Sequence, residues 1–121
     1  LAANVYPVKT RRIISMPQTM YSGEGHSLKI TPCQTSMDLD TVPGLRRHIN
    51  RIIGEAGYPD VILDISRVHW IDSSGVALML SLSRELRSRR KNLVIKGERD
   101  SFKSLLHFMQ VERFFTFNGP G

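Results

Sequence analysis

At 121 residues, 40% of them apolar and 23% charged, the chain is long enough to bury one real core and too short for two. A net charge of +6 raises nucleic acid or an anionic surface as partners, yet the arginines are spread along the chain with few aromatics between them, so the stacking platforms of a single-strand binder are missing. No apolar run approaches the roughly 20 residues of a membrane span, the N-terminus lacks the basic-then-apolar order of a signal peptide, and a single cysteine, Cys33, excludes an internal disulfide. These features describe a cytoplasmic globular protein unless the chain, which begins at Leu1, was cut from something larger. Cys33 reads as a small, part-buried apolar residue, and most of the basic residues read as solvated faces or as a surface for an acidic protein.

Residues 1–17 contain a short apolar run at Ile13 and Ile14 but no period, and are expected to form an N-terminal extension or an added edge strand; residues 18–121 then make the domain. From Gln18 the chain reads as two short strands around Ser22-Gly23-Glu24-Gly25, a turn in which glycine permits positive φ. Asp40 or Thr41 caps a first helix with Pro43 in its first turn. Its apolar stripe is Val42, Leu45, Ile49, Ile52, Ile53 and Ala56; Arg46, Arg47, Asn50 and Arg51 lie on the outer face, and Gly57 and Pro59 end it.

Val61, Ile62, Leu63 and Ile65 form an almost continuous, β-branched run, which suits a strand buried on both faces. Val68, Trp70 and Ile71 are expected to lead inward again before the polar turn Asp72-Ser73-Ser74-Gly75. Val76, Met79, Leu80, Ser83 and Leu86 then recur at helical spacing, so the turn caps a second amphipathic helix whose end is basic, from Arg87 to Lys91. Beyond it, Leu93, Val94 and Ile95 form a buried strand closed by Gly97. Asp100 or Ser101 caps a third helix carrying Phe102, Leu105, Leu106 and Met109, and Phe114, Phe115 and Phe117 suggest a last short strand. Strand alternating with helix after residue 28 predicts an α/β layer, with a mixed sheet that is parallel at its centre.

Catalytic sets are thin. His26, His48, His69 and His107 have no metal-ligand spacing, and with Cys33 alone no zinc site can be drawn. A hydrolase elbow needs Gly-x-Ser-x-Gly, but isoleucine stands in the first glycine position of Ile71-Asp72-Ser73-Ser74-Gly75. Asp64 and Asp72 lack a third carboxylate or histidine and read as a strand-end cap and a turn residue. The sequence therefore calls for no enzyme activity, no cofactor and no metal. What the turn does offer is two hydroxyls and a carboxylate at the positive end of a helix, where a phosphate on Ser73 or Ser74 would be stabilised. The plainer alternative is that Asp72, Ser73 or Ser74 serves only as an N-cap, worth about 1 kcal/mol.

The segment VILDISRVHWIDSSGVALMLSL, residues 61–82, resembles the central signature of STAS domains, and specifically of anti-sigma factor antagonists. The resemblance runs from about Ser27 through Phe117. It implies a single STAS-like α/β domain, a mixed sheet of about four to five strands packed against about three to four helices. It also implies that the first serine of the motif, Ser73, is the phosphoacceptor, with Asp38, Asp72, Ser73, Ser74 and Gly75 at the partner-binding surface. The family's Gly-Glu-Leu-Asp segment before the first helix is represented here by Thr35-Ser36-Met37-Asp38, in which only the aspartate is retained. Ser74, nearer the helix start, is expected to spend its hydroxyl on a cap bond. The implied partners are an anti-sigma factor with serine kinase activity and a phosphatase. Unphosphorylated protein would bind the anti-sigma factor, and phosphorylation would release it. The alternative is an unphosphorylated STAS scaffold in a stress-sensing complex, a transporter or a lipid-transport assembly; a basic nucleic-acid binder ranks last.

Overall fold

The computed structural model describes residues 19–117, so the expected extension over 1–17 lies outside the described residues. A hairpin opens the fold: β1 (Thr19–Glu24) pairs antiparallel with β2 (Ser27–Pro32). The turn falls at Gly25-His26, two residues later than the sequence suggested. Gly23 lies in the ladder opposite Leu28, while Gly25 takes φ +64°, which glycine adopts without steric cost. The chain continues through β3 (Ser36–Met37), α1 (Val42–Glu55), β4 (Asp60–Asp64), β5 (Trp70–Ile71), α2 (Ser73–Ser88), β6 (Leu93–Lys96), α3 (Asp100–Met109), a short 3₁₀ turn (Glu112–Phe114) and β7 (Thr116–Phe117).

The main sheet has the order β1-β2-β4-β6-β7, parallel from β2 onward, because each parallel neighbour is reached through a helical crossover. Register aligns Leu28, Val61 and Leu93 in one row and Ile30, Leu63 and Ile95 in the next, all buried. Leu45, Ile49 and Ile53 of α1 and Val76, Met79 and Leu86 of α2 complete this core. Each such side chain stabilises the fold by about 1.5–3 kcal/mol before conformational entropy is counted. The expectation that β4 is buried on both faces is corrected: Ile62 shares the opposite row with Lys29 and Val94, and all three are only half-buried. Its hydrophobic side chain here belongs to a face that the helices do not fully cover.

Trp70 is a second correction. It is 64% exposed, because β5 is only two residues long and pairs with β3 in a separate small sheet, leaving the indole outside. At α3, Arg99 rather than Asp100 or Ser101 is the N-cap residue, with no side-chain cap bond. Ala56 is the C-cap of α1 and exposed, so the apolar stripe stops at Ile53. Phe102 stands edge-on to Phe115 and Phe117, with ring centroids 6.3 and 6.5 Å away, which fixes α3 against the last strand.

Topology positions the site. β2, β4 and β6 run parallel, so the connections that leave their C-terminal ends emerge at one edge of the sheet. The starts of α1, α2 and α3 therefore gather there, although 31 residues separate Val42 from Ser73 in the chain.

Candidate functional site

β3 and β5 fasten the two central connections together. The Thr35 carbonyl accepts the N–H groups of His69 at 2.7 Å and Trp70 at 3.1 Å, and Asp72 donates its N–H to the Met37 carbonyl at 3.1 Å. The Asp38 turn and the Asp72 turn thus lie side by side. Gly75 permits the approach. A Cβ at that position would stand 2.8 Å from the Met37 oxygen and 2.8 Å from Ile71 Cγ2, closer than side-chain atoms tolerate.

Asp72 caps α2. Its backbone is extended, and its Oδ1 accepts the N–H of Ser74 at 2.8 Å and of Gly75 at 3.4 Å. The expectation that Ser74 spends its hydroxyl on the cap is therefore corrected: a charged carboxylate is the stronger acceptor for the unpaired N–H groups of a helix start. Ser73 occupies the first helical position and is exposed, Ser74 is half-buried, and Gly75 is buried. Among the described residues neither serine hydroxyl has a hydrogen-bond partner.

Asp38 organises the neighbouring turn reciprocally. Its Oδ1 accepts the N–H of Asp40 at 3.0 Å and of Thr41 at 3.1 Å, while its own N–H donates to Thr41 Oγ1 at 2.9 Å. The Thr41 N–H is the main reason that the Asp38 carboxyl is held below the usual carboxylate range. The carboxylate thus remains charged beside the Ser73 turn at any ordinary pH.

A shallow groove of about 490 Å³ opens between the starts of α1 and α2. Leu39, Val42, Pro43, Arg47, Ser74 and Ala77 are among its walls, and Leu39 is 75% exposed. Sequence reasoning did not find it, because it joins residues from two helices; the only local signal was Leu39, an apolar residue between two aspartates. Arg46, read as part of a solvated face, is half-buried and donates to Ser81 Oγ at 3.2 Å, while Arg47 is exposed at the groove.

The other sequence candidates lie apart. Asp64 Oδ1 accepts the Ser66 N–H at 3.0 Å as a strand-end cap, and His107 contacts Glu112 at 2.8 Å on the far end of α3. Among the described residues no three His, Cys, Asp or Glu side chains are grouped as metal ligands, and no helix is long and apolar enough to cross a membrane. Cys33 is half-buried, as expected.

The sequence pattern of the STAS domain matches residues 23–119. None of the curated proteins matches the chain. Among solved structures, an anti-sigma factor antagonist from Mycobacterium paratuberculosis is similar at TM-score 0.71 and 16% identity, over 89% of this chain and 92% of that one. The Bacillus cell fate determinant SpoIIAA in its phosphorylated form is similar at TM-score 0.61 and 18% identity, over 84% and 92% of the two chains. The murine anion transporter Slc26a9 is similar at TM-score 0.55 and 16% identity, over 71% of this chain but 14% of the transporter. At these identities the likeness is one of fold.

Proposed function

This chain belongs to the STAS domain family, and we propose that within it the protein acts as an anti-sigma factor antagonist switched by phosphorylation of Ser73. The observation that carries the proposal is the placement of an exposed Ser73 hydroxyl, without a hydrogen-bond partner among the described residues, at the first position of α2, beside the Asp38 turn and an open apolar groove. That a structural relative exists in a phosphorylated form supports it. The protein is a substrate and a binding partner, not an enzyme: the kinase provides ATP and the catalytic groups, and this chain provides the hydroxyl. The γ-phosphoryl group passes to Ser73 Oγ, ADP leaves, and the hydroxyl proton is lost.

Unphosphorylated protein binds an anti-sigma factor with serine kinase activity through Asp38, Asp72, Ser73, Ser74 and the groove residues Leu39 and Arg47, with Gly75 holding the two turns in contact. Phosphorylation adds about −1.5 to −2 charges at pH 7. Asp72 and Asp38 already make this edge of the turn negative, so the phosphate compounds repulsion from an acidic partner surface and opposes the attraction of Arg47. About 3 kcal/mol of repulsion and lost fit gives a hundredfold release, since each 1.4 kcal/mol is tenfold. A phosphatase then restores binding. The action is cytoplasmic, and the basic residues serve an acidic protein rather than DNA.

The test is a binding titration with the kinase-type anti-sigma factor. Ser73→Ala should stay bound in the presence of ATP, and Ser73→Asp, whose single charge imitates part of the phosphate, should bind about tenfold more weakly. Equal binding of both variants would remove the switch. A scaffold role is the second reading, favoured by the likeness to a segment of a transporter; it predicts ATP-independent binding for wild type and both variants.

A further inference from the structure

A cavity of about 300 Å³ lies between β5 and the start of α3, at the same sheet edge as Ser73 but built from other residues. At about 30 Å³ per water it has the volume of roughly ten waters, at the lower end of small-molecule sites. Its floor is apolar: Ile65, Val68 and Phe102 are buried, and Ile71 and Leu105 half-buried. Arg99 stands at the rim, where Nε donates to the Val68 carbonyl at 3.2 Å and Nη2 approaches the Ser66 carbonyl at 3.5 Å. These carbonyls orient the guanidinium without neutralising it. Among the described residues no carboxylate pairs with Arg99, and the adjacent Glu98 is taken by Lys103 at 3.6 Å. Trp70, exposed although large and apolar, lines the same opening.

An apolar hollow with one oriented, unneutralised cation at its mouth is complementary to a molecule with an apolar body and one anionic end. We infer that this cavity binds a small amphipathic carboxylate, its hydrocarbon part against Ile65, Val68, Phe102 and Leu105 and its carboxylate paired with Arg99. The guanidinium is suited to the task because it presents several donors in a plane, and two of them are already committed to fixing its direction. This binding goes beyond the antagonist role and does not depend on it.

Trp70 is the chain's only tryptophan, so its emission reports directly on the site. Octanoate, kept below its aggregation concentration, should shift that emission saturably, with octanol at least tenfold weaker and octylammonium without effect. Arg99→Gln should weaken octanoate at least tenfold while leaving octanol unchanged, and Ser104→Phe, at the mouth, should abolish both with the circular dichroism spectrum intact. The comparison of octanoate, octanol and octylammonium on wild-type protein stands even if either variant folds poorly. No saturable shift with octanoate, or equal responses to the three head groups, would overturn the proposal.

Discussion

Gly75→Ala should loosen the joint that holds the two turns together. Alanine at a helical position is about 1 kcal/mol more favourable than glycine, so helix propensity alone predicts stabilisation. The structure predicts the reverse. The new Cβ would stand 2.8 Å from Ile71 Cγ2, roughly 0.7 Å inside the 3.5 Å at which carbons attract, and equally close to the Met37 carbonyl oxygen. Met37 Cβ, at 3.0 Å, blocks a sideways escape. A main-chain oxygen cannot rotate away, so β3 must separate from α2 and strain the bond from Asp72 N–H to Met37 O. With overpacking at the upper end of its usual cost, about 3 kcal/mol, the net loss is about 2 kcal/mol. In urea, with a slope of about 1.5 kcal/mol per molar, the midpoint should fall by about 1.3 M without a change in slope. A midpoint equal to or above that of wild type would refute the packing argument and leave helix propensity in command.

Three further outcomes follow from the same geometry. Asp72→Ala removes the acceptor of the Ser74 and Gly75 N–H groups and should cost about 1 kcal/mol by urea melt, with Asp72→Asn recovering most of it; no loss with alanine would mean the cap contributes nothing. Gly97 combines φ +77° with a would-be Cβ 2.7 Å from Ser66 Cβ and 2.9 Å from Asp64 Oδ1, whereas Gly25, also at positive φ, has open space. Gly97→Ala should therefore cost about 3 kcal/mol and Gly25→Ala about 1, and equal losses would contradict the steric reading. Asp38, whose folded carboxyl titrates below its unfolded value, contributes stability that is present above the unfolded value near pH 4 and lost as pH falls through the folded one. Asp38→Asn should thus flatten the fall of the urea midpoint below about pH 4; superimposable profiles would show that the carboxylate carries no such linkage.

Much of the fold was legible because burial here follows period. The stripe from Val42 to Ile53 declares its face in the sequence, the apolar runs around Leu63 and Ile95 declare buried strands, and alternation of strand and helix declares the parallel sheet. What was not legible depends on partners distant in the chain. Ile62 is as apolar as Leu63, and only the row it shares with Lys29 reveals a less covered face. Trp70 looks like a core residue until the short β3–β5 pair turns it outward. Asp72, Ser73 and Ser74 are all good caps, so composition could not choose among them, whereas the hydrogen bonds select Asp72. The groove beside Ser74 was invisible because its walls come from the turn at Leu39, from α1 and from α2, which is distant from both in the chain.

The most direct test of the switch is the position of the phosphate. Incubation of wild-type protein with its cognate kinase and ATP, followed by peptide mapping, should find phosphate on Ser73, which is exposed, and none on Ser74, which is half-buried between the helices. Phosphate on Ser74 would contradict the assignment, and phosphate on neither serine with a proven kinase partner would contradict the switch itself.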